Sequence, residues 1–295
     1  MDSHVESELL PASVPLGGRT AEGLEQTTPE QSTGRSRIPL LDTVRQHAEI
    51  SGMLEMADEF LSAQGFTEHG FRHANLVGHI AYNVLTHLGH DEHLAELGAV
   101  AGYLHDIGNV VSRSQHGQTS GIIAFTVLRE LDIPMVDIAQ IMGAVGNHEE
   151  QYGVAVSPVS AAVIVADKSD VHRSRVRDTG DIEADIHDRV NYAVTSSFLR
   201  VSDRIEPEPI SEEAGFEKEL DDVRREEGLD PARDHSPARI TVPSKTLTLE
   251  LEVDTSVTPV FEYFEIFMER MVMCRRAGRT LGAEFKITVN DVPVL

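Results

Sequence analysis

Residues 98–108 read Gly98-Ala99-Val100-Ala101-Gly102-Tyr103-Leu104-His105-Asp106-Ile107-Gly108, an apolar helical run that ends on a histidine–aspartate pair and is closed by a glycine. An imidazole and a carboxylate placed on such a helix are expensive unless they are paired or hold a metal. The same conflict recurs at Val163-Ile164-Val165-Ala166-Asp167-Lys168-Ser169-Asp170, and a third candidate, His73, lies in Phe71-Arg72-His73-Ala74-Asn75-Leu76-Val77. Imidazole and carboxylate donors together suit Mn, Fe, Zn, Ni or Co, and helical bundles build metal sites from side chains on facing helices.

Outward from these motifs the chain is helical. Leu41, Val44, Ile50, Met53, Leu54, Ala57, Phe60 and Leu61 recur at three- and four-residue spacing, which predicts an amphipathic helix stopped at Gly65. Further helical stretches are expected over roughly 71–88, 92–105, 117–131, 135–147 and 157–172, with short separators such as Gly89-His90-Asp91 and Asp132-Ile133-Pro134. Short connections make antiparallel neighbours, hence a compact bundle. Near residue 190 the period changes. Tyr192–Val201 reads as a strand, and Leu247, Leu249, Leu251 and Val253 alternate with polar residues as a second. Val260, Phe261, Phe264, Phe267, Met268, Met271 and Val272 form one helix face, read as core, and Phe285, Ile287 and Val289 a last strand. The expected fold class is mainly α: a helical bundle over 39–190, then a small α+β module over 191–295. A disordered tail is expected over 1–38 and an acidic, proline-bearing mobile insertion over about 203–237.

The net charge of −24 disfavours long nucleic acid as a partner, because polyanion binders place Lys and Arg against phosphates. No apolar run approaches the roughly 18 residues of a membrane span, and the N-terminus lacks a secretory pattern. The single cysteine, Cys274, excludes a disulfide framework within the chain. These features point to a cytoplasmic protein.

His73, then Leu104-His105-Asp106-Ile107-Gly108, then Asp167 resembles the H…HD…D signature of the HD-superfamily phosphohydrolases, over about residues 66–178. The resemblance implies a metal-dependent phosphohydrolase in which His73, His105, Asp106 and Asp167 hold a divalent ion within a helical bundle. His116 and His148 fall where the binuclear branch carries further ligands, with His69 a weaker candidate. Asp106 would then bridge two ions about 3.5–4 Å apart. The implied cofactor is one or two divalent ions among Mn, Fe, Ni, Zn and Mg. Asn109 replaces a lysine common in the family, and Asn147 replaces the first histidine of a His-His pair. No Gly-Tyr-Pro follows Glu149.

Lys168, Arg173 and Arg175 lie in the most basic stretch of the chain and are expected to bind a substrate phosphate, with Lys168 also counted as catalytic. Glu149 is either a base or an ordinary helix-end carboxylate, and Asp170 is expected to support a nearby Arg or Lys. The expected reaction is hydrolysis of a small phosphorylated substrate, a nucleotide or related metabolite, by metal-activated water. The alternatives are an HD-GYP-like cyclic dinucleotide phosphodiesterase and a non-catalytic metal-bound nucleotide sensor. The C-terminal module is a candidate homodimer interface, and no membrane partner is expected.

Overall fold

The structure, a computed structural model, describes residues 37–177, 182, 185–203 and 245–294. Most of the expected tail and acidic insertion lies outside these residues. The tail expectation ran too far at its C-terminal end, since Ile38 is 3% exposed and belongs to the core.

Eight helices form the first part among the described residues: α1 Pro39–Arg45, α2 Ala48–Ala63, α3 Phe71–His87, α4 Glu92–Leu104, α5 His116–Arg129, α6 Met135–Val145, α7 Pro158–Ser169 and α8 Ile186–Ala193. The helix expected over 41–61 is two, because Gln46 N–H bonds back to the Thr43 carbonyl and His47 is extended. The stretch expected to be helical to 172 ends at Ser169, where Asp170 leaves helical geometry. Helix α8 was not expected; the Asp185 carboxylate caps it by accepting from His187 N–H at 2.6 Å.

Two helices occupy the middle of the bundle. In α4 every residue from Leu97 to Leu104 is buried, and in α7 every residue from Val159 to Ser169 is buried. Helices apolar on all sides must be enclosed, and α3 packs on both α4 and α7. Where α3 meets α4, a Cβ on Gly102 would lie 2.9 Å from Gly78 Cα, so glycine there permits the close crossing.

The C-terminal part comprises β1 Val194–Asp203, β2 Lys245–Val253, α9 Val260–Thr280, β3 Ala283–Val289 and the short β4 Val292–Pro293. The sheet order is β1-β2-β3-β4. Strand β2 is antiparallel to β1 and parallel to β3, with Leu247 opposite Phe285, Leu249 opposite Ile287 and Leu251 opposite Val289. The parallel pair requires a crossover, and α9 supplies it. Helix α9 packs on both β3 and α7, fastening the sheet to the bundle. The mainly helical fold with a small C-terminal sheet agrees with the sequence expectation. No described helix is long and apolar enough to cross a membrane.

Candidate metal centre

Five segments converge at the ends of the two central helices. His73 sits in the first turn of α3, His105 and Asp106 follow the last turn of α4, and His116 opens α5. His148 lies just beyond α6, and Asp167 is in the last turn of α7. All six are buried. The short helical turn Ile107–Val110 packs tightly on the start of α5; a Cβ on Gly108 would fall 2.2 Å from the His116 carbonyl oxygen. Gln115 adopts φ 56°, a left-handed conformation unusual for a residue with a side chain, as the chain turns into α5 at His116.

Each histidine is held from behind through Nδ1. His73 donates to Asp170 Oδ2 at 2.6 Å, His105 to the Gly102 carbonyl at 2.7 Å and His148 to the Val145 carbonyl at 2.6 Å. His116 Nδ1 faces the Arg113 carbonyl at 2.9 Å and Glu149 Oε1 at 2.5 Å. Those acceptors take the Nδ1 protons and turn the four Nε2 atoms inward, where each can carry a proton or a metal ion. His73 Nε2 and His105 Nε2 lie 3.1 Å apart, and His116 Nε2 and His148 Nε2 lie 3.0 Å apart. At such distances each pair can share a proton as an N–H···N hydrogen bond or take up a cation.

Asp106 divides its two oxygens between these pairs. Oδ2 is 3.6 Å from His73 Nε2 and 3.3 Å from His105 Nε2, whereas Oδ1 is 3.0 Å from His116 Nε2 and 3.6 Å from His148 Nε2. Asp167 Oδ1 joins the first pair at 3.4 Å from His73 and 3.6 Å from His105. Neighbouring donors about 2.1 Å from one ion are about 3.0 Å apart in an octahedron and about 3.4 Å apart in a tetrahedron. These spacings could accommodate metal ions: donor atoms of His73, His105 and Asp167, and of His105, Asp106 and His148, lie within 4.8 Å of one another in each group, with His116 Nε2 beside the second. Asp106 is further fixed by Asn109 Nδ2, which donates to its Oδ1 at 3.1 Å.

The electrostatics agree with the donor set. Burial opposes ionisation of Asp106, but His105 and hydrogen bonds from His105, His116 and His148 hold its pKa well below the usual carboxylate range. Burial likewise opposes a charge on Asp167, and Lys168 and His105 outweigh it, so this carboxylate also stays ionised. Burial opposes a charge on His105, yet Asp106 and Asp167 raise its pKa to about 10.

The other candidate residues lie around these donors. Lys168 is 5% exposed and pairs with Asp167 Oδ2 at 2.7 Å and Glu150 Oε1 at 2.9 Å, so its ammonium is committed to positioning Asp167. Arg175 is equally committed, donating to the carbonyls of Glu68 and Asp170. Arg173 stacks over Tyr192 at 5.2 Å. Because α7 stops at Ser169, Arg173 and Arg175 lie on a separate short helical turn, Arg173–Arg175. Glu149 sits behind His116, on the side away from Nε2, which makes it a positioning residue. His69 packs edge-on against His73, with ring centroids 5.5 Å apart, and its Nδ1 meets the Thr67 carbonyl at 2.6 Å.

Beside the centre lies a cavity of about 340 Å³ lined by Phe66, His69, Arg113, Arg175, Asp188 and Arg270, among others. Arg113 connects the two: its Nη1 is 3.4 Å from His116 Nε2.

No protein-family model, curated protein or solved structure matches this chain. The case for function therefore rests on the site itself. Sequence reasoning missed Arg113, Glu150 and Arg270. The one available signal was Glu150, a further acid directly after His148-Glu149; Arg270 lies on a helix whose residues read as core.

Proposed function

We propose that this chain is a metal-dependent phosphohydrolase of the HD type, acting on a small phosphate ester. The observation that carries this reading is the division of Asp106, with one oxygen among the Nε2 atoms of His73 and His105 and the other between those of His116 and His148. A carboxylate so placed would serve, with the histidines on either side of it, to hold divalent metal. When bound, such ions generate a nucleophile from water at neutral pH and neutralise charge on a phosphoryl oxygen.

The surrounding residues support the same reading. Asp170, Asn109, Glu149 and Lys168 each fix one inward-facing group from behind, as supporting partners commonly do in metal sites. A chain of net charge −24 nevertheless directs Arg113, Arg175 and Arg270 into the adjoining cavity. This local reversal of sign suits a small anion.

The test is metal content of protein purified without chelator, followed by a hydrolysis screen of phosphomonoesters and phosphodiesters with each divalent ion. Two ions per chain and turnover that stops with chelator are expected. A metal-free protein that takes up no manganese, iron or zinc, or a metal-loaded one inert towards every ester, overturns the proposal.

A further inference from the structure

We propose that the C-terminal module completes the substrate site: Arg270 of α9 joins Arg113 as a clamp for a single phosphate group on a small, hydroxyl-bearing molecule. The inference rests on the phosphohydrolase reading and extends it to a substrate class.

Arg113 and Arg270 reach the cavity from distant parts of the chain, one from the approach to α5 and the other from the helix that fastens the sheet to the bundle. Each guanidinium is seated on a ring. Arg113 lies over Phe66 at 5.5 Å and Arg270 over Phe267 at 4.7 Å, the latter ring only 1% exposed. Stacking limits the conformations available to an arginine, so less freedom is lost when it takes up an anion. Arg270 Nε pairs with Glu150 Oε1 at 2.9 Å, and the group makes no other ion pair or hydrogen bond among the described residues. Its outer nitrogens bond to no other described residue and present the fork geometry that suits phosphate oxygens. Arg113 places the clamp directly beside the donor set, 3.4 Å from His116 Nε2. Arg175 adds charge while its own donors serve carbonyl groups.

The remainder of the lining defines what the phosphate is attached to. Helix α8 contributes Asp188 and Asn191, and the α2–α3 connection contributes Gln64 and Thr67. Carboxylate and amide oxygens accept hydrogen bonds from hydroxyls. Asp185 and Asp188 in the same lining repel a second phosphate. A volume of about 340 Å³ is at the small end for ligand sites. The two aromatic rings of the lining already serve as seats for guanidinium groups. Together these features favour a monophosphate of a compact polyol or sugar over a polyphosphate or dinucleotide.

The test is calorimetric titration of the metal-loaded full chain with inorganic phosphate, with metal content measured on the same samples. Arg270→Gln and Arg113→Gln should each weaken phosphate binding about tenfold or more while metal content is unchanged. Arg270→Lys keeps a cation for Glu150 but loses the fork, and should lose most of the same affinity. Glu150→Gln removes the partner and leaves the guanidinium, so it should change affinity less than about threefold. Unchanged binding in Arg270→Gln overturns the clamp, as does an equal loss in Glu150→Gln, which would mean that Arg270 acts through Glu150. Glycerol phosphate should bind more tightly than methyl phosphate, with the difference reduced in Asp188→Asn; an unchanged difference overturns the hydroxyl-bearing class. A wild-type chain that takes up no metal defeats the phosphohydrolase reading by a separate measurement, whereas loss of phosphate affinity in Arg270→Gln still upholds the clamp.

Discussion

Asp170 Oδ2 lies 2.6 Å from His73 Nδ1, on the side of the ring away from the centre. The same carboxylate pairs with Arg72 at 2.9 Å and faces Arg175 Nη1 at 3.8 Å. Burial opposes its ionisation, but Arg175 and the His73 bond hold its pKa far below the usual range, so it remains an anion behind the imidazole. Such a partner fixes the ring and makes Nε2 a stronger donor.

On the proposed metal reading, Asp170→Asn should reduce affinity for an ion at His73 by about 10- to 100-fold and leave affinity for one at His116 and His148 unchanged. A chelator-competition titration resolves the two steps. Equal weakening of both ions would show that Asp170 stabilises the whole fold and not one ligand.

Lys168 leads to a different expectation from the one its sequence suggests. It lies buried between Asp167 and Glu150, and both carboxylates raise its pKa against the opposing effect of burial. Removing one partner of a buried ion pair leaves an uncompensated charge and costs about 3–5 kcal/mol. Lys168→Met should lower stability in denaturant titration by about that amount and weaken metal binding at Asp167. A stable, fully loaded variant with only a raised KM would restore Lys168 as a direct phosphate ligand.

Glu150 gives a pH signature. Burial would raise its pKa, but Lys168 and Arg270 lower it from 4.5 to about 2, with Asp167 opposing them. A depressed carboxylate contributes stability that is fully present above its unfolded pKa and is lost as the pH falls through its folded value. The window is therefore pH 4.5 down to about 2. The contribution is about 3 kcal/mol at most. Thermal unfolding of chelated protein should fall more steeply across this window in wild type than in Glu150→Gln. Parallel curves would mean that the ion pairs are too well solvated to matter.

The fold was legible where periodicity was strong. The apolar runs of α4 and α7 announce enclosed helices, and the alternation of Leu247, Leu249, Leu251 and Val253 announces a half-buried strand, buried on that face in the structure. Helix α8 was hidden because it is short and runs directly into β1 at Val194. The buried polar cluster was also legible, since His105–Asp106 and Asp167 interrupt apolar segments. Its supports were not. Asp170 reaches His73 and Arg270 reaches Glu150 only through tertiary packing, which local sequence spacing does not encode. The surroundings of Arg175 were hidden for a related reason: α7 ends at Ser169, and Arg175 lies on the separate turn Arg173–Arg175, against the carbonyls of Glu68 and Asp170.

Asp106 offers the sharpest discrimination between one shared centre and two separate ones. Its oxygens serve different histidine pairs, Oδ2 towards His73 and His105 and Oδ1 towards His116 and His148. Asn109 holds the carboxylate in that orientation through its Oδ1. His116→Ala removes a donor from one set only, so metal content should fall from two ions to one. Asp106→Asn alters both sets, replacing an anionic oxygen by an amide nitrogen that cannot coordinate, so content should fall towards zero. Activity on any ester that wild type hydrolyses should fall by at least about 10³-fold in Asp106→Asn. If Asp106→Asn instead keeps one ion at full affinity, the carboxylate serves a single set, and the two histidine pairs are independent sites.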